Sequence, residues 1–174
     1  TAVNTAQANI LTQIGNEGDT PDTVNSVVTA AQLASLSGIT DVVAANEDAY
    51  QDYIDANPDS FASPATLAEV QAMITAVNTA QANILTQIGN EGDTPDTVNS
   101  VVTAAQLASL SGITDVVAAN EDAYQDYIDA NPDSFASPAT LAEVQAMITA
   151  VNTAQANILT QIGTEGDNPD TVNS

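Results

Sequence analysis

Residues Thr66–Gly89, TLAEVQAMITAVNTAQANILTQIG, place Leu67, Val70, Ile74, Val77, Gln81, Ile84 and Ile88 at alternating steps of three and four. Such spacing is one continuous stripe along a helix. Thr66 and Glu69 carry the pattern of a capping box, in which each side chain serves a backbone N–H that the first turn leaves without a partner. Gly89 offers the left-handed residue that closes the other end. A helix of this length spans about 34 Å. The same stretch recurs at Thr140–Gly163, and its C-terminal part recurs alone at Thr1–Gly15, so the remaining sequence reads as packaging around copies of one helix.

Residues 1–74 and 75–148 are identical, and residues 149–174 begin a third copy with two changes, Thr164 for Asn16/Asn90 and Asn168 for Thr20/Thr94. The repeat length is therefore 74 residues, and the 174-residue chain holds about two small units rather than one ordinary domain. With Thr at position 1 and no charged-then-apolar leader, it reads as a piece of a longer array. No apolar run approaches the ~20 residues that a membrane span needs, so membrane insertion is not expected.

Twenty-three carboxylates face no Lys, Arg or His, for a formal net charge of -23. A uniformly negative field repels nucleic acid and anionic lipid, which argues against both as partners. It favours salt and divalent cations instead. With no cysteine there is no disulfide, thiolate nucleophile or zinc–thiolate site, and the redox compartment stays open. Apolar residues make up 44% of the chain, too many for a disordered acidic tail, but aromatics are only 3%. The expected core is thin, and a unit of this size is expected to be worth about 3 to 5 kcal/mol.

Along the chain, residues 1–15 repeat the C-terminal part of a long helix from a preceding repeat and are expected to be an orphan, since the sequence gives them no preceding partner. Residues 16–25, NEGDTPDTVN, are turn-forming and acidic and read as a linker. Thr29 with Gln32 forms a second capping box, opening a short helix over about residues 30–36 that Gly38 ends. A medium helix capped by Thr40 or Asp41 runs to about Asn57, where Pro58 forbids continuation. Its Val43, Tyr50, Tyr53 and Ile54 share one side, interrupted by Asn46, while Asp48, Asp52 and Asp55 form a ladder of like charge with Asp59 just beyond. The expected fold is all-α: tandem three-helix bundles of short, medium and long helix, one per repeat, arranged end to end. The units are residues 26–89 and 100–163, separated by an acidic linker at 90–99, with the start of the next linker at 164–174.

The phrases TAAQLASLSGI (Thr29–Ile39), ANEDAYQDYI (Ala45–Ile54) and LAEVQAMITAVN (Leu67–Asn78) resemble the all-helical tandem repeats of very large secreted surface proteins and biofilm-type adhesins of bacteria. The resemblance covers each whole copy and rests on repeat style and capping phrases. It implies extracellular display within a long chain and a stalk or matrix role, and it transfers no catalytic residue.

Catalysis by nucleophile and base lacks its base, because neither His nor Lys is present. Paired acids such as Asp52 with Asp55, or Glu47 with Asp48, match a glycosidase in residue type, but such a site also needs an aromatic-lined cleft, and the solvated-face reading prevails. No catalytic residue and no required cofactor are expected. A metal site is the sharper idea: Glu17, Asp19 and Asp22, repeated as Glu91, Asp93 and Asp96, set three hard oxygen ligands on a glycine-containing segment suited to Ca²⁺. Their order is not that of an EF-hand, and an acidic linker held extended by self-repulsion is the plainer reading. In the third copy both substitutions fall in this segment while Glu165, Asp167 and Asp170 remain, which makes Asn16 dispensable to any such site. Tyr50, Tyr53 and Phe61 form either a partner patch or, by their spacing, part of the core. Thr5, Thr12 and Thr75 keep no regular period, which sets aside an ice-binding face.

Together these readings make the chain a structural spacer, stalk or fibre module outside a bacterial cell, associating with itself or with neighbouring repeats of the same long chain. The alternative is a repeated module that binds a protein or glycan through avidity.

Overall fold

A computed structural model of the chain describes residues 2–17, 26–91 and 100–167. Every regular element among these residues is helical. The α-helices are α1 (Ala2–Gly15), α2 (Ala30–Ser35), α3 (Glu47–Ala56), α4 (Leu67–Gly89), α5 (Ala104–Ser109), α6 (Glu121–Ala130) and α7 (Leu141–Asp167). Short 3-10 turns at Ala44–Asn46, Pro58–Ser60, Ala118–Asn120 and Pro132–Ser134 flank α3 and α6. The described residues fall into two compact units, one within Thr1–Asn83 with Ser109–Gly112, the other within Ile84–Ala108 and Ile113–Ser174. The division lies inside α4, and of the linker 90–99 only Asn90 and Glu91 are described.

In the first unit the capping boxes form as the sequence indicates. Thr29 Oγ1 accepts from Gln32 N at 3.2 Å while Gln32 Oε1 accepts from Thr29 N at 2.8 Å. Ala30 N, another donor of that first turn, is satisfied by Glu47 Oε2 at 2.7 Å. Gly38, at φ 92°, takes the left-handed conformation that ends this segment. The medium helix starts later than expected. Asp41 has φ 59°, which no helix accommodates, and neither it nor Thr40 caps α3. The reason lies in α4, whose amide side chains hold this stretch: Gln71 Oε1 accepts from Thr40 N at 2.9 Å and Asn78 Nδ2 donates to Asp41 O at 2.7 Å.

The core cluster of this unit gathers Ile10, Ile14, Val28, Leu33, Leu36, Tyr50, Ile54, Ala65, Val70, Met73, Ile74 and Val77. Ile74 and Val77 are central, in line with the stripe, whereas Leu67 at its start is exposed and Met73, off the stripe, is buried. Tyr50 is fully buried with its hydroxyl satisfied: it donates to Asn78 Oδ1 at 2.6 Å and accepts from Val43 N at 3.0 Å. Asn46 also donates to Asn78 Oδ1, at 2.8 Å, so the polar break in the apolar side of the medium helix is a buried amide bonded to a half-buried one. Burying such groups costs free energy unless they are bonded, and here they are. Tyr53 and Phe61 pack against the same cluster, edge to face with ring centroids 6.4 Å apart.

The presence of Ile10 and Ile14 in that cluster corrects the expectation that residues 1–15 are an orphan: α1 finds its partner in the sequence that follows it. The second unit repeats the arrangement, burying Ile84, Ile88, Val102, Leu107, Tyr124, Ile128, Val144, Met147, Ile148 and Val151.

Candidate functional site

The acidic linker is described only at its edge. Glu17 and Glu91 lie just past α1 and α4, and Asp19, Asp22, Asp93 and Asp96 fall outside the described residues. Among the described residues no group of three or more acidic side chains is placed to hold a metal. The acids weighed as catalytic pairs lie along α3, and Glu47 is engaged by Ala30 N. Tyr50 and Tyr53 belong to the core and its border, together with Phe61.

The surface with the most developed geometry is the one on which the end of α1 rests. Ile10 and Ile14 point into the core at 6% and 1% exposure. Each buried side chain of this kind stabilises by about 1.5 to 3 kcal/mol. Polar contacts fix the register: Leu11 O accepts from Ala65 N at 2.9 Å, Ser63 Oγ donates to Asn16 Oδ1 at 2.7 Å, and Gln7 Nε2 donates to Ser35 O at 3.1 Å. At the tip, Gly15 lies so close to the 62–65 loop that a Cβ there would collide with Ala62 O and stand 2.7 Å from Ala65 N. Glycine is present for close approach, because any side chain would lift the helix off its seat.

The loop that receives Gly15 is itself tied down. Glu69 Oε2 accepts from Thr66 N at 2.8 Å and from Ala62 N at 3.1 Å, and Thr66 Oγ1 accepts from Glu69 N at 3.3 Å. This is the expected capping box with one bond more. The Thr66 backbone N–H, and after it that of Ala62, hold the Glu69 carboxyl below the usual carboxylate range. Thr140 and Ala136 do the same for Glu143. Ser63–Pro64 and Ser137–Pro138 are cis peptide bonds within these loops.

The second unit seats the end of α4 in the same way. Ile84 and Ile88 are 7% and 1% exposed, Leu85 O accepts from Ala139 N at 3.0 Å, and Ser137 Oγ donates to Asn90 Oδ1 at 2.7 Å. A Cβ on Gly89 would collide with Ala136 O. Gly89 is helical and is not a left-handed cap, so the expectation for this residue is corrected: its position is set by what it touches.

The third copy of this 15-residue segment, Thr149–Gly163, has the same letters and other surroundings. Ile158, Leu159 and Ile162 are 49%, 69% and 64% exposed, and Gly163 has nothing within 4 Å of where a Cβ would stand. The helix continues through it to Asp167, past the expected linker start at 164, and Thr164 Oγ1 donates back to Thr160 O at 3.0 Å where Asn16 and Asn90 turn out to meet a serine. Periodicity alone does not show what each segment packs on, because for the ends of α1 and α4 the partners lie in the sequence that follows.

No helix among the described residues is long and apolar enough to cross a membrane. No curated protein matches the chain, and no solved structure does. The RtxA repeat family model matches residues 5–20, 79–94 and 153–167, which take in most of α1 and the C-terminal parts of α4 and α7, the first two matches running a few residues past the helix. These matches accord with repeats of large secreted bacterial surface proteins, and they fall on the segment that two of the copies seat and the third leaves exposed.

Proposed function

We propose that the chain is a non-catalytic structural module, a spacer, stalk or fibre segment of an extracellular bacterial surface protein. In this reading each repeat contributes a short, a medium and a long helix, and the units follow one another in series. The observation that carries it is the duplicated seating of α1 and α4: a helix end that packs on the repeat following it is a device for propagating an array. The RtxA repeat matches support the secreted setting. The chain needs no cofactor. Ca²⁺ enters as a ligand of the acidic linkers, where Glu91, Asp93 and Asp96 repeat Glu17, Asp19 and Asp22.

The test is X-ray scattering on this chain and on chains lengthened by one and two further 74-residue copies. A spacer gives a maximum dimension that grows by a constant increment per copy. A dimension that stays nearly constant as copies are added would remove the reading. The alternative, a module that binds a protein or glycan through avidity, predicts an affinity that climbs steeply with copy number for one soluble ligand.

A further inference from the structure

Where α3 runs beside α4, alanines hold the two helix surfaces apart. Ala49, Asp52 and Tyr53 lie at i, i+3 and i+4 on one face of α3, opposite Ala76, Val77 and Ala80 of α4, and they line a shallow groove of about 440 Å³. An alanine side chain stops at Cβ, so the floor is low and apolar. Tyr53 is half-buried and forms an aromatic wall, while Asp52 stands exposed at the lip. The second unit builds the same groove, of about 340 Å³, from Asp126 and Tyr127 of α6 over Ala150, Val151 and Ala154 of α7. Both volumes fall in the range of about 300 to 1,000 Å³ found for ligand clefts.

An apolar floor with a carboxylate at its edge selects the charge of what lies in it. An anion meets Asp52 and a net charge of -23. A wholly apolar group strips water from Asp52 without replacing it. A lysine side chain meets neither objection: its aliphatic stem covers the alanines, and its ammonium reaches the Asp52 carboxylate beside the Tyr53 ring. Asp48 and Asp55 flank Asp52 along α3 in a ladder of like charge that opposes the helix in the free protein, and a cation placed there turns repulsion into attraction. A second copy of this chain has no side chain of that charge to offer, because the sequence contains no Lys, Arg or His. We propose that the α3–α4 groove, repeated as the α6–α7 groove, binds a lysine-bearing basic segment of another protein. One such groove in each unit lets a partner with several lysines gain by avidity. This goes beyond the spacer reading and does not rest on it.

The full-length chain is titrated calorimetrically with a capped synthetic peptide of alternating lysine and alanine at ~0.15 M NaCl, where charges more than about 8 Å apart are largely screened. Saturable binding is expected, with NMR shifts at the methyl groups of Ala76, Ala80, Ala150 and Ala154. Asp52→Asn with Asp126→Asn should weaken binding about three- to fivefold. Asp59→Asn with Asp133→Asn makes the same change of charge outside the groove lining and should weaken it far less. Ala76→Leu with Ala150→Leu raises the floor at exposed helical positions and should weaken binding about tenfold without lowering the melting temperature. Equal losses from the two aspartate pairs, or methyl shifts confined to residues outside the grooves, overturn the proposal in favour of unspecific attraction between opposite charges. A folded leucine variant that binds as tightly as the parent overturns it as well. Butylammonium that saturates the grooves as tightly as the peptide overturns the assignment of a protein partner. None of these outcomes alters the increment per copy in scattering, which tests the spacer reading separately.

Discussion

At the scale of single residues, three glycines in one register show how context sets the role of a side chain that is absent. Gly15 and Gly89 lie against backbone of the loops at 62–65 and 136–139, while Gly163 is open. Glycine within a helix costs about 1 kcal/mol relative to alanine. Gly163→Ala should therefore raise stability by up to about 1 kcal/mol, whereas Gly15→Ala should lower it through a collision that no rotamer relieves. Denaturant unfolding of the two variants beside the parent reads the opposite signs. This contrast was not legible in the sequence, where all three positions read alike as left-handed caps. Tyr50 and Asn46 were half legible: spacing put them on the inner side of the medium helix, but nothing nearby in sequence indicated Asn78, which receives a hydrogen bond from each.

At the scale of elements, the capping boxes at Thr29–Gln32 and Thr66–Glu69 formed where their residue types placed them, since a cap is decided within four residues. The start of α3 did not, since the preceding stretch is held by Gln71 and Asn78 of a distant helix. Glu69 joins the two scales, tying Thr66 and Ala62 in a loop that also seats α1. Its carboxyl is held below the ordinary value of 4.5, so the bound state favours the ionised form. The stability it contributes is present in full above that ordinary value and is lost as pH falls through the lowered one. Glu69→Gln keeps the shape and removes the charge. It should lower the melting temperature near neutral pH and flatten the fall as the pH drops below 4.5; a fall of unchanged steepness in the variant would assign that acid sensitivity to other carboxylates.

At the scale of the whole molecule, a net charge of -23 with no basic residue opposes every compact state of the chain. Asp48, Asp52 and Asp55 on α3 add like-charge pairs worth roughly 0.2 to 0.5 kcal/mol each. We expect the melting temperature to rise from low salt to ~0.15 M NaCl, where the screening length is about 8 Å. Calcium at matched ionic strength is expected to raise it further through the linker acids; equality with NaCl would leave screening as the whole effect. The all-helical class and the repeat were evident from the letters alone, while the seating of the α1 and α4 ends on the sequence after them was not, because periodicity describes a face and not its occupant. That seating also bears on timing. The core cluster of the first unit draws on residues from Ile10 to Val77. A chain that emerges N-terminus first, from a ribosome or through a secretion pore, presents all of these side chains before the second repeat is fully through. The core of the first unit can then close while the rest is still in transit, and its folding pulls in one direction on the chain that follows.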